Sequence, residues 1–92
     1  MNLFIWPEKF NDEVLDYEVD WTAEIEEGDE IAGEPVVTAT HGVTVETQDT
    51  TDGVTRLRLA GGSSVESTID LLATTTSGQK IGARGKLPIR QR

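Results

Sequence analysis

The fold turns on LDYEVDWTAEI, residues 15–25. Its odd positions, Leu15, Tyr17, Val19, Trp21, Ala23 and Ile25, are apolar or amphipathic, and none of the even positions between them is apolar. A helical period would group Leu15 and Val19 with Thr22 and Glu26. The period of two held from Leu15 to Ile25 is instead that of a strand with one buried face. The wet side of that strand carries Asp16, Glu18, Asp20 and Glu24. Same-face neighbours on a strand stand about 6.6–6.8 Å apart, so these acids form a ladder of like charges whose purpose has to be explained.

Further strands follow on both sides. Glu27-Gly28-Asp29 supplies a turn, and Val36, Val37, Thr38 and Thr40 after Pro35 favour β structure. His41-Gly42 reads as a break. Val43, Val45 and Thr47 begin a strand expected to end at the polar run Gln48-Asp49-Thr50-Thr51. Asp52-Gly53 is a hairpin dipeptide, and Val54–Leu59 resumes the pattern. Ala60-Gly61-Gly62-Ser63-Ser64 reads as a loop. Val65, Ile69, Leu71 and Ala73 share one face of the next strand, and after Ser77-Gly78 the residues Ile81, Ala83, Leu87 and Ile89 share one face of the last. About six or seven short strands at this spacing predict an all-β, immunoglobulin-like antiparallel β-sandwich, with a small β-barrel as the alternative closure. Residues 13–90 are expected to form a single sandwich domain, residues 1–12 an N-terminal arm that packs along an edge or reaches a neighbour, and residues 91–92 a basic end. A compact body of this length has a radius of gyration of roughly 12 Å.

Composition narrows the function. The chain has 92 residues, a formal net charge of −9 and no cysteine. Disulfides and thiolate metal sites are thereby excluded. Residues 1–35 hold twelve acids against Lys9 alone, whereas residues 80–92 hold Lys80, Arg84, Lys86, Arg90 and Arg92 and no acid. The overall acidity opposes nucleic acid as the main partner. No apolar run is long enough to span a bilayer as a helix, and MNLFIWPEKF lacks a signal-peptide pattern. The expectation is a protein made and kept inside a cell, or packed into a particle assembled there.

Three stretches carry a family resemblance: WPEKFNDEVLDYEVDW (Trp6–Trp21), LAGG (Leu59–Gly62) and TTTSGQK (Thr74–Lys80) followed by a basic end. In order, they resemble a family of small tailed-phage virion proteins, the fibre-tail adaptor or neck-region proteins. Trp6, Pro7, Lys9, Val14, Leu15, Asp16, Tyr17, Asp20, Trp21, Gly61, Gly62, Thr74, Thr75 and Gly78 fall on the family pattern. Gly82–Lys86 departs from it, where a less glycine-rich and more acidic strand is expected. The resemblance implies a non-enzymatic structural component of a virion, assembled in the host bacterial cytoplasm and present in several copies. Its partners would be other neck, tail, fibre or capsid proteins. The competing role on the same fold is capsid decoration.

The candidate chemistry is sparse. Hydrolytic carboxylate pairs need a cleft with sugar-stacking aromatics beside them, but Tyr17 and Trp21 face away from the acids. Glu26-Glu27-Gly28-Asp29-Glu30 would suit Ca²⁺ better than a flat strand does, yet it lacks EF-hand spacing. His41 has no second imidazole or thiol near it in sequence, and Ser63-Ser64 would depend on His41 as its base. Gly61-Gly62 lacks the lysine and helix of a phosphate loop and reads as a turn. Trp21 reads as a core aromatic. No catalytic residue, metal site, cofactor or small-molecule substrate is expected. The residues assigned to partner contact are Trp6 and Pro7 of the arm, Asp16, Glu18 and Asp20 of the acidic ladder, and Arg84, Lys86, Arg90 and Arg92 of the basic end. The plainer reading of the ladder is a solvated face offset by Arg56 and Arg58 on a neighbouring strand.

Overall fold

The structure, a computed structural model, describes residues 2–63 and 65–91, so Met1, Ser64 and Arg92 lie outside the described residues. All regular structure in this range is β. The six principal strands are β3 (Leu15–Asp20), β4 (Val36–Ala39), β5 (Val43–Thr51), β6 (Val54–Gly61), β7 (Ser67–Thr74) and β8 (Lys80–Leu87). They form two facing sheets, β3-β6-β5 and β8-β7-β4, paired antiparallel throughout. The sheets stay open, so the fold is a sandwich rather than a barrel. Val19, Leu57 and Leu59 from one sheet meet Ile69, Leu71, Ala73, Ala83 and Leu87 from the other in a single core.

Three short strands complete the fold. β1 (Asn2–Ile5) lies parallel to β8 at the margin of the larger sheet, and β2 (Lys9–Phe10) lies parallel to β9 (Ile89–Arg90). Residues 2–10 therefore run along residues 83–90. The molecule measures 46 × 21 × 17 Å, with a radius of gyration of 13.4 Å. It is longer than a compact body of its length because the sandwich is narrow across its strands.

The opening segment behaves as a strand only to Asp20. There the Asp20 carboxylate accepts hydrogen bonds from the Thr22 N–H (2.9 Å) and Oγ1 (2.7 Å), an Asx turn that competes with further pairing. Trp21 is fully buried, but Ala23, next in the alternation, is exposed. The β5–β6 turn is the expected hairpin: Thr51 pairs with Val54, and Asp52 and Gly53 have φ of 53° and 76°, the signs of a type I′ turn.

Strand β5 corrects the expected boundary, because the polar run Gln48–Thr51 continues it. A bulge between Val45 and Thr47 shifts the register. Beyond it Thr50 Oγ1 meets Thr55 Oγ1 at 2.7 Å, and Thr55 Oγ1 accepts the Trp21 indole N–H at 2.9 Å. The polar run stays in the strand because each of its residues pairs with β6, and Thr50 backs the Thr55 hydroxyl that serves the buried indole.

Candidate partner-binding surfaces

The acidic ladder is complemented across its own sheet. Asp16 stands opposite Arg58 and Glu18 opposite Arg56 in the β3–β6 register. Arg58 grips Asp16 with two hydrogen bonds, Nε to Oδ1 at 2.8 Å and Nη2 to Oδ2 at 3.2 Å, and Arg56 Nε reaches Glu18 Oε1 at 3.3 Å. The Arg58 hydrogen bond pulls the Asp16 carboxyl below its ordinary value, while the bonds from Thr22 do the same for Asp20. Glu24 lies past the strand end in the following turn. With Asp49 facing Arg56 from β5, the outer face of the three-stranded sheet holds four acids against two arginines.

The opposite face has the reverse balance. Lys80, Arg84 and Lys86 of β8 stand on the outer side of the four-stranded sheet against Asp70 of β7. Arg84 holds Asp70 through Nε (2.6 Å) and Nη2 (3.1 Å), which raises the guanidinium pKa. Arg90 Nε pairs with Glu8 Oε2 at 2.7 Å, and Lys86 has no ion pair among the described residues. Arg84 and Arg90 thus both have acid partners within their own chain. Because these pairs are exposed, a neighbouring molecule can exchange them at small cost. Leu3, Ile5, Val36 and Leu72 add exposed aliphatic surface on this side.

The arm is fastened in two places. Trp6 turns inward, its ring 4.9 Å from that of Tyr17 and directly over Gly85, leaving part of the indole at the surface beside exposed Pro7. A Cβ at position 85 would lie 2.6, 2.7 and 2.9 Å from three atoms of that indole. Gly85 is therefore the seat of Trp6. Lys9 is the second fastening. It is fully buried, and its Nζ donates to the carbonyls of Phe10 (2.8 Å) and Gly61 (2.7 Å). Burial lowers its pKa, against the opposing pull of Glu13 and Asp12. No periodicity marks Lys9 as internal; its place depends on two carbonyls brought together by the fold.

The other candidates have structural duties. Asp29 accepts from Thr76 Oγ1, from the Ser77 N–H (3.1 Å) and from Ser77 Oγ (2.6 Å), latching the 26–30 loop to the β7–β8 hairpin. These bonds hold its carboxyl far below the usual carboxylate range. Beside the latch is an open cleft of about 470 Å³ whose lining includes Ile25, Ile31, Glu26 and Asp52. No group of three or more potential metal ligands gathers there among the described residues. His41 Nδ1 lies 3.1 Å from Thr40 Oγ1, while Ser63 Oγ donates to the His41 carbonyl rather than to its ring. Gly61 and Gly62 have φ of 73° and 115°, and a Cβ on Gly61 would meet the Gly42 carbonyl oxygen at 2.9 Å. The glycine pair answers to backbone geometry.

A family model described as Podophage GP4 fiber-tail adaptor protein gp77 matches residues 9–87. No curated protein matches the chain. The family match begins at the buried Lys9 and ends at Leu87 in the core, so it takes in all six principal strands of both sheets. By that match, the chain belongs to the podophage GP4 fiber-tail adaptor protein gp77 family.

Proposed function

We propose that this protein is a non-enzymatic structural adaptor of a podophage tail. It would be present in several copies at the head–tail neck or tail, holding fibres or neighbouring tail proteins, and incorporated into the virion during assembly in the host cytoplasm. The family match across both sheets carries this reading. The surface supports it: the sandwich has one outer face rich in acids and one rich in bases, with Asp16 and Arg84 held in ion pairs and Asp29 in a loop latch.

Contact with neighbours would use the ladder Asp16, Glu18 and Asp20 on one side and Arg84, Lys86 and Arg90 on the other, with Arg92 extending the basic end. Trp6 and Pro7 would supply the apolar part at the arm. Copies placed with the basic face of one against the acidic face of the next make a heterologous contact, which closes into a ring when the rotation allows. The test is to reverse Arg84, Lys86 and Arg90 to glutamate and measure incorporation into particles. The expected result is a folded protein absent from tails, with wild-type binding that weakens as salt shortens the Debye length. Incorporation at wild-type copy number, or labelling of the head shell in place of the tail, would overturn the proposal.

A further inference from the structure

Each of the two principal sheets has two margins, and three of these four are protected against pairing with another chain. β3 presents Asp16, Glu18 and Asp20 on its outer side. β5 carries its bulge, and Glu34, just ahead of β4, accepts the Thr50 N–H at 2.9 Å. β4 follows Pro35, whose carbonyl takes a hydrogen bond from Gln48 of β5, so that side of the sandwich is closed. Charges, bulges, prolines and covered backbone are the usual means of blunting an edge.

β1 has none of them. Asn2–Ile5 holds no charge, proline or bulge, and its outward side chains Leu3 and Ile5 are 57% and 77% exposed. Its backbone polarity follows from the register. Ile5 is opposite Lys86, and the Trp6 N–H donates to the Lys86 carbonyl at 3.0 Å. Alternation along a parallel pair then turns the N–H and C=O of Phe4 toward β8, and those of Leu3 and Ile5 toward the open side.

We propose that β1 is a self-association edge, to which β1 of a second copy adds antiparallel about a two-fold axis through Phe4. In that register Leu3 faces Ile5 of the other copy and Ile5 faces its Leu3. Both are hydrogen-bonded pairs, so four backbone bonds form and the two larger sheets become continuous. The four aliphatic side chains meet on the outer face as cross-strand neighbours. The second copy is the fitting occupant because Leu3 and Ile5 are symmetric about Phe4 in both backbone orientation and side-chain type. The net charge of −9 is no obstacle at this edge. The nearest cations, on β8, are kept about three strand spacings (~14 Å) from their counterparts, beyond the ~8 Å Debye length at physiological salt. A contact of four hydrogen bonds is weak alone and gains from the high local concentration of an assembly.

The pairing does not depend on where in a virion the protein sits, so it is tested on the isolated full chain. Sedimentation equilibrium from about 10 μM to about 1 mM should show a monomer–dimer equilibrium. Leu3→Pro removes an edge-facing N–H while leaving the bonds to β8 in place, and should weaken association roughly 10- to 100-fold. Ile5→Lys should act in the same direction through edge charge, and provides the second reading if Leu3→Pro disturbs the fold. Both variants should retain the wild-type far-UV spectrum. A wild-type chain that stays monomeric throughout, or a dimer of equal strength in folded forms of both variants, overturns the proposal. So does a monomeric wild type whose Leu3→Pro variant is excluded from particles, which would assign the edge to a strand of a different virion protein.

Discussion

Gly85→Ala places a methyl group where the Trp6 indole already lies, with three ring atoms at 2.6–2.9 Å. The indole is rigid, and β8 is held by β7 and β1 on its two sides, so the ring has to leave its seat. Truncating a buried tryptophan costs about 3–5 kcal/mol; half that range suits a half-buried ring, about 2 kcal/mol. Alanine recovers about 0.5–1 kcal/mol relative to glycine within a strand, since Gly85 does not have positive φ. The net loss is then about 1–2 kcal/mol, or roughly 4–16 °C in Tm for a domain of this size. In a Trp6→Ala background the obstruction is gone, and the same change should stabilise by about 0.5–1 kcal/mol. Urea unfolding of the four proteins, followed by circular dichroism and tryptophan fluorescence, measures the coupling directly. Equal destabilisation in both backgrounds, within the ~0.5 kcal/mol expected of independent sites, would refute the packing of Trp6 on Gly85.

Asp29 makes stability depend on pH. Because its folded pKa is depressed, its contribution is present above the unfolded carboxylate range and is lost as pH falls toward the folded value. The Tm gap between wild type and Asp29→Ala should therefore be widest near neutrality and narrow below about pH 4, and a gap independent of pH would refute the latch. Trp21→Ala should cost about 3–5 kcal/mol in denaturant, and a loss under about 1 kcal/mol would remove Trp21 from the core. Thr55→Val leaves the indole N–H without its acceptor and should cost about 1–3 kcal/mol, whereas Thr55→Ser should restore most of it.

Local signals in the sequence were good guides to local structure. Tyr17 and Val19 declare their face by alternation, and Asp52-Gly53 declares a hairpin because few residues accept two positive φ angles. The opposition of Asp16 and Glu18 to Arg58 and Arg56 was also legible, since a charged strand face needs a charged neighbour. What stayed hidden depends on distant partners. Gln48 and Thr50 resemble loop residues until pairing beyond the bulge sets them in β5 opposite Leu57 and Thr55. Trp6, ahead of a proline in an arm, resembles a contact residue until Gly85 provides a seat 79 positions away. Lys9 is internal only because the carbonyls of Phe10 and Gly61 converge on it.

The parallel pairing of β1 with β8 also orders events during synthesis. Asn2 meets Ala83, so the first strand waits for 81 further residues before its partner exists. At about 5–20 residues per second, that wait is roughly 4–16 s. The β5–β6 and β7–β8 hairpins close over short separations and have no such delay, whereas docking of β1 carries the largest loop-closure entropy in the molecule. Completion of the larger sheet thus reports that synthesis has passed β8. A chain released before residue 83 keeps the β5–β6 hairpin but has nothing on which to lay Asn2–Ile5, and its aliphatic strand remains open to chaperones and proteases.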